Sequence, residues 1–197
     1  MRKINVLFIV VLSILLSNCK PNIDYKHQEK PQPVSCPGVD KALLHEALYS
    51  FQEDIANYYN FRNYDPKTPV FFLNGYSNFV YKGSQGTAPY NKIISPHTMK
   101  VFEALKKEAA LWDFNAEGTN LDYHSRFFKN LYENMQNTTV ANNLKNLSEL
   151  NALNPKIMGN TLRTNIRDAL RDPHLAMYIA LDCFYQYLFD VPLPNAN

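Results

Sequence analysis

The fold is decided by residues 174–189, which read HLAMYIALDCFYQYLF. This stretch predicts a helix with apolar side chains on every side and one charged residue, Asp182. A helix without a polar face usually lies at the centre of a bundle. The stretch is shorter than the roughly 20 apolar residues that cross a membrane, and Asp182 interrupts it. We therefore expect a buried central helix.

Five further stretches carry apolar residues at spacings of three and four, the pattern of amphipathic helices. They begin near Asp40, Ser95, Asn120, Thr139 and Thr161. Cap residues and prolines mark several helix ends, at 95–96, 154–155 and 172–173. The sequence predicts a mainly α, single-domain bundle of about six helices over residues 36–197.

Residues 61–94 depart from the helical pattern. Two β-prone runs flank Asn74-Gly75, and Asn-Gly between such runs is the strongest short hairpin signal. We therefore expect a small β-hairpin insertion. Aromatic rings among small polar residues are typical of adaptable binding surfaces, which makes Tyr76, Phe79 and Tyr81 candidate binding residues. The alternative is that these rings fill the core.

The first residues have the form of a bacterial secretory signal, with Arg2 and Lys3 before a short apolar run. The run ends in Leu-Ser-Asn-Cys at residues 16–19, which resembles the lipobox of bacterial lipoproteins. The resemblance covers residues 1–19 only. It implies a signal peptide over residues 1–18 and a diacylglyceryl group on Cys19, whose several acyl chains, such as palmitate, anchor a protein stably. An ordinary secretory signal is the alternative.

Lys20 follows the cysteine, and the absence of aspartate there favours the outer membrane over the inner one. Residues 19–35 contain Pro21, Pro31 and Pro33 among polar residues. We interpret this segment as an extended tether, which at about 3 Å per residue would reach up to roughly 50 Å.

Charge excludes one class of partner. Without Arg2 and Lys3, the chain has 18 basic and 18 acidic residues. Nucleic-acid binding needs a concentrated basic surface, which this balance does not supply. We expect a partner protein from the envelope or the secreted fraction, and no nucleic acid.

The cysteines suggest one disulfide. With Cys19 assigned to lipid, Cys36 and Cys183 remain in an oxidising compartment, where an even number favours pairing. Two unpaired buried thiols are the alternative. The chain has no CxxC motif. His45-Glu46 begins like a zinc-protease helix, but Tyr49 replaces the second histidine, so no metal site or cofactor is predicted.

Two further groups of residues are candidates for function. Arg163, Arg167 and Arg171 follow at helical spacing and suit phosphate or carboxylate recognition, unless Asp168 and Asp172 neutralise them. Asp182, a carboxylate in an apolar helix, is a weak catalytic candidate, with a structural ion pair as the alternative.

The leading interpretation is a lipid-anchored envelope protein that binds another protein and is not an enzyme. An immunity protein against an envelope-acting effector is one version of it. One alternative is an enzyme acting on cell-wall or glycan material, with Asp182 or Glu103 as general acid. The other is a small-ligand binder with a cavity in the bundle.

Overall fold

The computed structural model describes residues 23–115 and 120–192. The predicted signal peptide and Cys19 lie outside the described residues. Within the described ranges the fold is all helical, which confirms the mainly α prediction. Eight α-helices are followed in order. They are α1 Lys41–Tyr58, α2 Pro69–Ser84, α3 Tyr90–Ile93, α4 Pro96–Leu105, α5 Arg126–Glu133, α6 Thr138–Glu149, α7 Pro155–Asn165 and α8 Pro173–Cys183.

Two 3₁₀ segments, Ile166–Leu170 and Tyr185–Phe189, flank α8. None of the helices in the described ranges is long and apolar enough to span a membrane. The predicted helix at 174–189 is therefore one α-helix followed by a tighter turn, and its central position is confirmed. Nearly every side chain of α8 is buried, and the helix packs against α1, α2 and α5.

Several helix ends follow the signals in the sequence. The Ser95 side chain caps α4 by accepting the N–H of Thr98, and Asn154 caps α7 by accepting the N–H of Ile157. Asp172 does more, because its two carboxylate oxygens serve different elements. One accepts the N–H groups of residues 174 and 175 at the start of α8, and the other accepts those of residues 136 and 137 before α6.

The predicted β-hairpin is wrong, and the described residues contain no strand there. Thr68-Pro69 begins α2, which runs through Asn74-Gly75 without a turn. Gly75 instead allows close contact with α1, because a Cβ atom at this position would lie 2.7 Å from Ala56 Cα. Asn74 adds a link by donating its side-chain N–H to the Tyr59 carbonyl at 2.7 Å. The buried residues of α2 recur at helical spacing, a signal that the Asn-Gly pair obscured.

The predicted disulfide is also wrong, since Cys36 and Cys183 are both free and buried. Residues 33–35 lie beside His174 at the start of α8. Cys183 is nine residues further along that helix, a rise of about 13 Å. A disulfide requires Cα atoms within roughly 7 Å. Burial raises the pKa of Cys36 to about 11, so this thiol stays protonated.

The segment from residue 23 to residue 35, interpreted above as part of a tether, packs along α1. The backbone N–H groups of Lys26 and His27 donate to the Glu46 carboxylate at 2.9 and 3.2 Å. The Tyr49 hydroxyl donates to the Pro31 carbonyl at 2.8 Å. Val34 is buried in the core. We call residues 23–35 the N-terminal segment, and they belong to the folded domain.

The close α1–α2 contact gives a first prediction. Gly75→Ala should destabilise the protein by about 1–3 kcal/mol, because the new methyl group meets the backbone of α1, which cannot move aside. Urea unfolding measures the change. Ser77→Ala, at an exposed position of the same helix, is the control and should stay within about 0.5 kcal/mol of wild type. Equal stability of the two variants would contradict the close contact.

Candidate functional site

Tyr81 and Arg163 form an exposed pair between α2 and α7. The Tyr81 side chain is 52% exposed, and the Arg163 guanidinium carbon lies 5.9 Å from the centre of its ring. A guanidinium over an aromatic face is held by the charge distribution of the ring. The pair therefore presents an oriented cation on the surface.

Arg167 and Arg171 are also exposed but do not continue a single helical face. The α-helix ends at Asn165, and the following 3₁₀ segment turns with about three residues per turn. Arg167 still lies next to α2, because this 3₁₀ segment packs against it. We call Tyr81, Arg163 and Arg167 the Tyr81–arginine surface.

The two aspartates expected to neutralise the arginines have other partners. Asp168 accepts the side-chain N–H of Asn137 at 2.6 Å, and Asp172 is buried as a cap. Among the described residues, no carboxylate lies within ion-pairing distance of the three arginines. Their charges are available to a partner.

Tyr76 and Phe79, also predicted as binding residues, do not reach the surface. Both side chains are fully buried. The Phe51 ring contacts them with centroid distances of 5.8 and 5.4 Å, and the Tyr76 hydroxyl accepts a hydrogen bond from Gln52. The alternative that these rings fill the core describes them. Only Tyr81 of the three aromatic candidates is accessible.

Asp182 is fully buried and has three side-chain partners. The hydroxyls of Tyr123 and Tyr178 donate to its two oxygens at 2.5 and 2.8 Å, and Gln186 donates at 3.0 Å. Burial raises the pKa of Asp182 to about 6, while the three hydrogen bonds act in the opposite direction. These partners are neutral, so the predicted ion pair with an arginine is not formed. The contacts give this carboxylate a structural role at the end of α8.

The other acid considered above, Glu103, is 55% exposed and pairs with Lys106 at 2.6 Å, one turn along α4. Such surface pairs contribute little to stability and leave the carboxyl group in water. Glu103 therefore lacks the enclosed surroundings of a general acid.

A second site, missed from the sequence, joins three separate parts of the chain. His97 of α4 places its Nε2 atom 2.6 Å from the Glu46 Oε1 atom of α1. His27 of the N-terminal segment places Nε2 3.9 Å from that oxygen and 3.7 Å from Glu53 Oε2. Glu46 is buried, and both imidazoles are nearly so. We call His27, Glu46 and His97 the histidine–glutamate cluster.

A polar stripe on α1 positions this cluster. Glu46, Ser50 and Asp54 follow at intervals of four residues, and all three are buried. Asp54 accepts the backbone N–H of Ser95 at 2.9 Å and so fixes the start of α4, which places His97 over Glu46. Burial raises the pKa of Asp54 to about 6. The stripe was the available signal, because buried carboxylates need internal partners.

A cleft with a volume of about 290 Å³ opens beside His27. Its lining mixes aromatic and charged side chains, namely Tyr49, Phe71, Phe72, Lys30 and Glu53 in addition to His27. Burial lowers the pKa of His27, against the opposing effect of Glu46 and Glu53. A neutral imidazole next to a mixed cleft can accept a proton or bind a metal ion.

The buried carboxylate of α8 gives a second prediction. Because the pKa of Asp182 rises from 3.8 to about 6 on folding, the folded state binds a proton between these pH values that the unfolded state lacks. The stability that this proton contributes is present at low pH and is lost as the pH rises through 6. Wild type should therefore gain about 2–3 kcal/mol relative to Asp182→Asn between pH 7 and pH 4.

Urea unfolding of both proteins at several pH values measures this difference, and the comparison cancels the titration of groups that both share. Asp190→Asn, at an exposed position shortly after the second 3₁₀ segment, is the control and should show no comparable change. A stability difference between wild type and Asp182→Asn that is independent of pH would contradict the raised pKa.

The two sites offer different chemistry. The Tyr81–arginine surface is exposed, flat and cationic, and suits a large acidic partner. The histidine–glutamate cluster is enclosed and carries imidazole and carboxylate groups, which suit a proton or a metal ion. Comparison of the chain with protein-family models, with curated proteins and with solved structures finds no match.

Proposed function

We propose that this chain is a lipid-anchored protein of the bacterial envelope whose helical domain binds a partner protein. The anchor is supported by residues 1–19, where a basic start and an apolar run lead to Cys19. Lys20 after the cysteine favours the outer membrane. The domain itself supplies the binding function.

The observation that carries the binding proposal is the Arg163 guanidinium over the exposed Tyr81 ring, without an acidic partner. Tyrosine and arginine are enriched among the residues that dominate binding energy at protein interfaces. A guanidinium already oriented by a ring loses less freedom when it binds. Arg167 adds a second free cation beside it.

The chemistry of this surface defines the partner. Guanidinium groups bind carboxylates through two parallel hydrogen bonds, so the complementary surface is acidic. The partner is an envelope or secreted protein with exposed carboxylates, and an incoming effector bound by an immunity-type protein is one example. Rim charges of this kind act mainly on the association rate and on partner choice.

A small-ligand function is the second candidate, and the cleft beside His27 favours it. Its volume of about 290 Å³ is near the lower end of small-molecule sites. Its aromatic and charged lining suits a compact amphipathic ligand. Asp182 and Glu103 do not support the enzymatic alternative, since the first is enclosed among structural partners and the second is exposed.

The anchor gives a third prediction. Cys19→Ala should leave the protein in the soluble fraction or leave its signal uncleaved, because the lipid would have no attachment point. Fractionation of cells and the mass of the protein measure both outcomes. Cys36→Ala is the matched control and should remain processed and membrane-bound. Normal processing and membrane binding of Cys19→Ala would show that Cys19 is not the anchor.

The Tyr81–arginine surface gives a fourth prediction. A photo-crosslinking amino acid at Tyr81 should form a covalent adduct with one defined acidic protein in living cells. Charge reversal at Arg163 and Arg167 to Glu should reduce the adduct by about 10-fold or more, because two cations at the centre of an interface become repulsive.

Arg126→Glu, an exposed charge reversal on α5, is the matched control and should leave the adduct unchanged. An adduct that persists at full level in the double reversal, or one that involves a strongly basic protein, would contradict the proposal. Circular dichroism of each variant verifies that the fold is retained.

A further inference from the structure

We propose that His27, Glu46 and His97 bind one divalent transition-metal ion of the zinc class. This inference goes beyond the proposed function and rests on a separate part of the molecule. The two imidazole Nε2 atoms and a carboxylate oxygen of Glu46 all lie within 4.8 Å of one another. Two histidines and one carboxylate are a ligand set that zinc uses in proteins when a fourth position stays open.

The distances fit a metal site after small movements. With metal–ligand bonds of about 2.0–2.1 Å, the ligand atoms of a tetrahedral site are about 3.3 Å apart. The Glu46 Oε1 atom now lies 2.6 Å from His97 Nε2 and 3.9 Å from His27 Nε2. A movement of the carboxylate by less than about 1 Å, away from His97 and towards His27, makes both distances suitable.

The His27 ring supplies an independent observation. Its Nε2 atom is shielded from solvent and has no hydrogen-bond partner within the described residues. A buried polar atom without a partner costs free energy, and such atoms are rare in native proteins. The atom faces two carboxylates, those of Glu46 and Glu53, at distances too long for hydrogen bonds. A cation between these groups would satisfy all of them.

The surroundings hold the ligands in place. Glu46 accepts backbone N–H groups from Lys26 and His27, which fix its carboxylate from the outside. Such outer contacts orient metal ligands and affect affinity strongly. Burial favours the neutral form of His27, so its lone pair is available to a metal. The doubly positive ion would also balance the enclosed charge of Glu46.

The fourth coordination position points to the cleft. His27 and Glu53 both line it, and Glu53 Oε2 is 3.7 Å from the His27 Nε2 atom. Glu53 is exposed enough to move, and it can bind the ion directly or hold a bound water. The site is therefore of the open kind, with access for a further small ligand.

Metal binding would also connect the N-terminal segment to the domain. His27 belongs to that segment, Glu46 to α1 and His97 to α4. An ion shared by the three would add coordination bonds to the backbone hydrogen bonds that already hold the segment. Removal of the ion should make the segment open more often.

The affinity test uses the full chain, purified in detergent and freed of metal with a chelator. Titration with Zn²⁺ in competition with a chromogenic chelator should show one ion per chain. His27→Ala and His97→Ala should each weaken binding by about 100-fold or more, since a lost ligand costs at least as much as a lost outer contact. His124→Ala, at an exposed position outside the cluster, should bind like wild type.

Co²⁺ provides a spectroscopic readout, because a four-coordinate ion absorbs much more strongly in the visible range than a six-coordinate one. The wild type and His124→Ala should show the strong spectrum, and His97→Ala should not. Absence of stoichiometric binding, or equal affinity of wild type and both ligand variants, would overturn the proposal.

A protease test examines the link to the N-terminal segment. Lys26 and Lys30 are exposed trypsin sites within it, and cleavage there requires the segment to detach. Zn²⁺ should slow this cleavage in the wild type and not in His97→Ala, which retains the backbone bonds to Glu46. His27→Ala alters a residue outside the core, so it provides a folded variant if His97→Ala is unstable. Equal protection of wild type and both variants by Zn²⁺ would contradict the link.

Discussion

A helix that is buried on every side must find a partner inside the protein for each polar group it carries. Helix α8 meets this requirement at both ends. Asp172 caps its first turn and at the same time holds the backbone before α6. Asp182 receives two tyrosine hydroxyls and a glutamine amide near its last turn. The other helices are arranged around these two carboxylates, so the position of α8 determines where α5, α6 and the loop carrying Tyr123 lie.

The same rule shapes the candidate metal site. Glu46 and Asp54 are buried on α1, where each carboxylate must be satisfied by another part of the chain. Asp54 takes the start of α4, and Glu46 takes the N-terminal segment together with His97. Polar groups that stabilise the packing thus bring imidazole and carboxylate together. The Tyr81–arginine surface has no such structural duty, which leaves its charges free for recognition.

Local signals in the sequence predicted most helices, because caps such as Ser95 and Asn154 act within a few residues. The prediction failed where one signal has two meanings. Asn74-Gly75 suits a hairpin turn, but in α2 it serves a close helix crossing that only the packing with Ala56 reveals. The pairing of Cys36 with Cys183 failed because cysteine counting contains no distances. The histidine–glutamate cluster was missed because its members are 19 and 51 residues apart, without a local motif.

The packing of the N-terminal segment changes the reach of the molecule. If Cys19 carries the lipid, four peptide links separate it from Ile23, where the described chain already packs against the core. Four links span at most about 14 Å. A domain held at this distance remains close to the lipid headgroups and samples few orientations. Its partner would have to approach the bilayer surface, so recognition takes place in a layer one molecule deep.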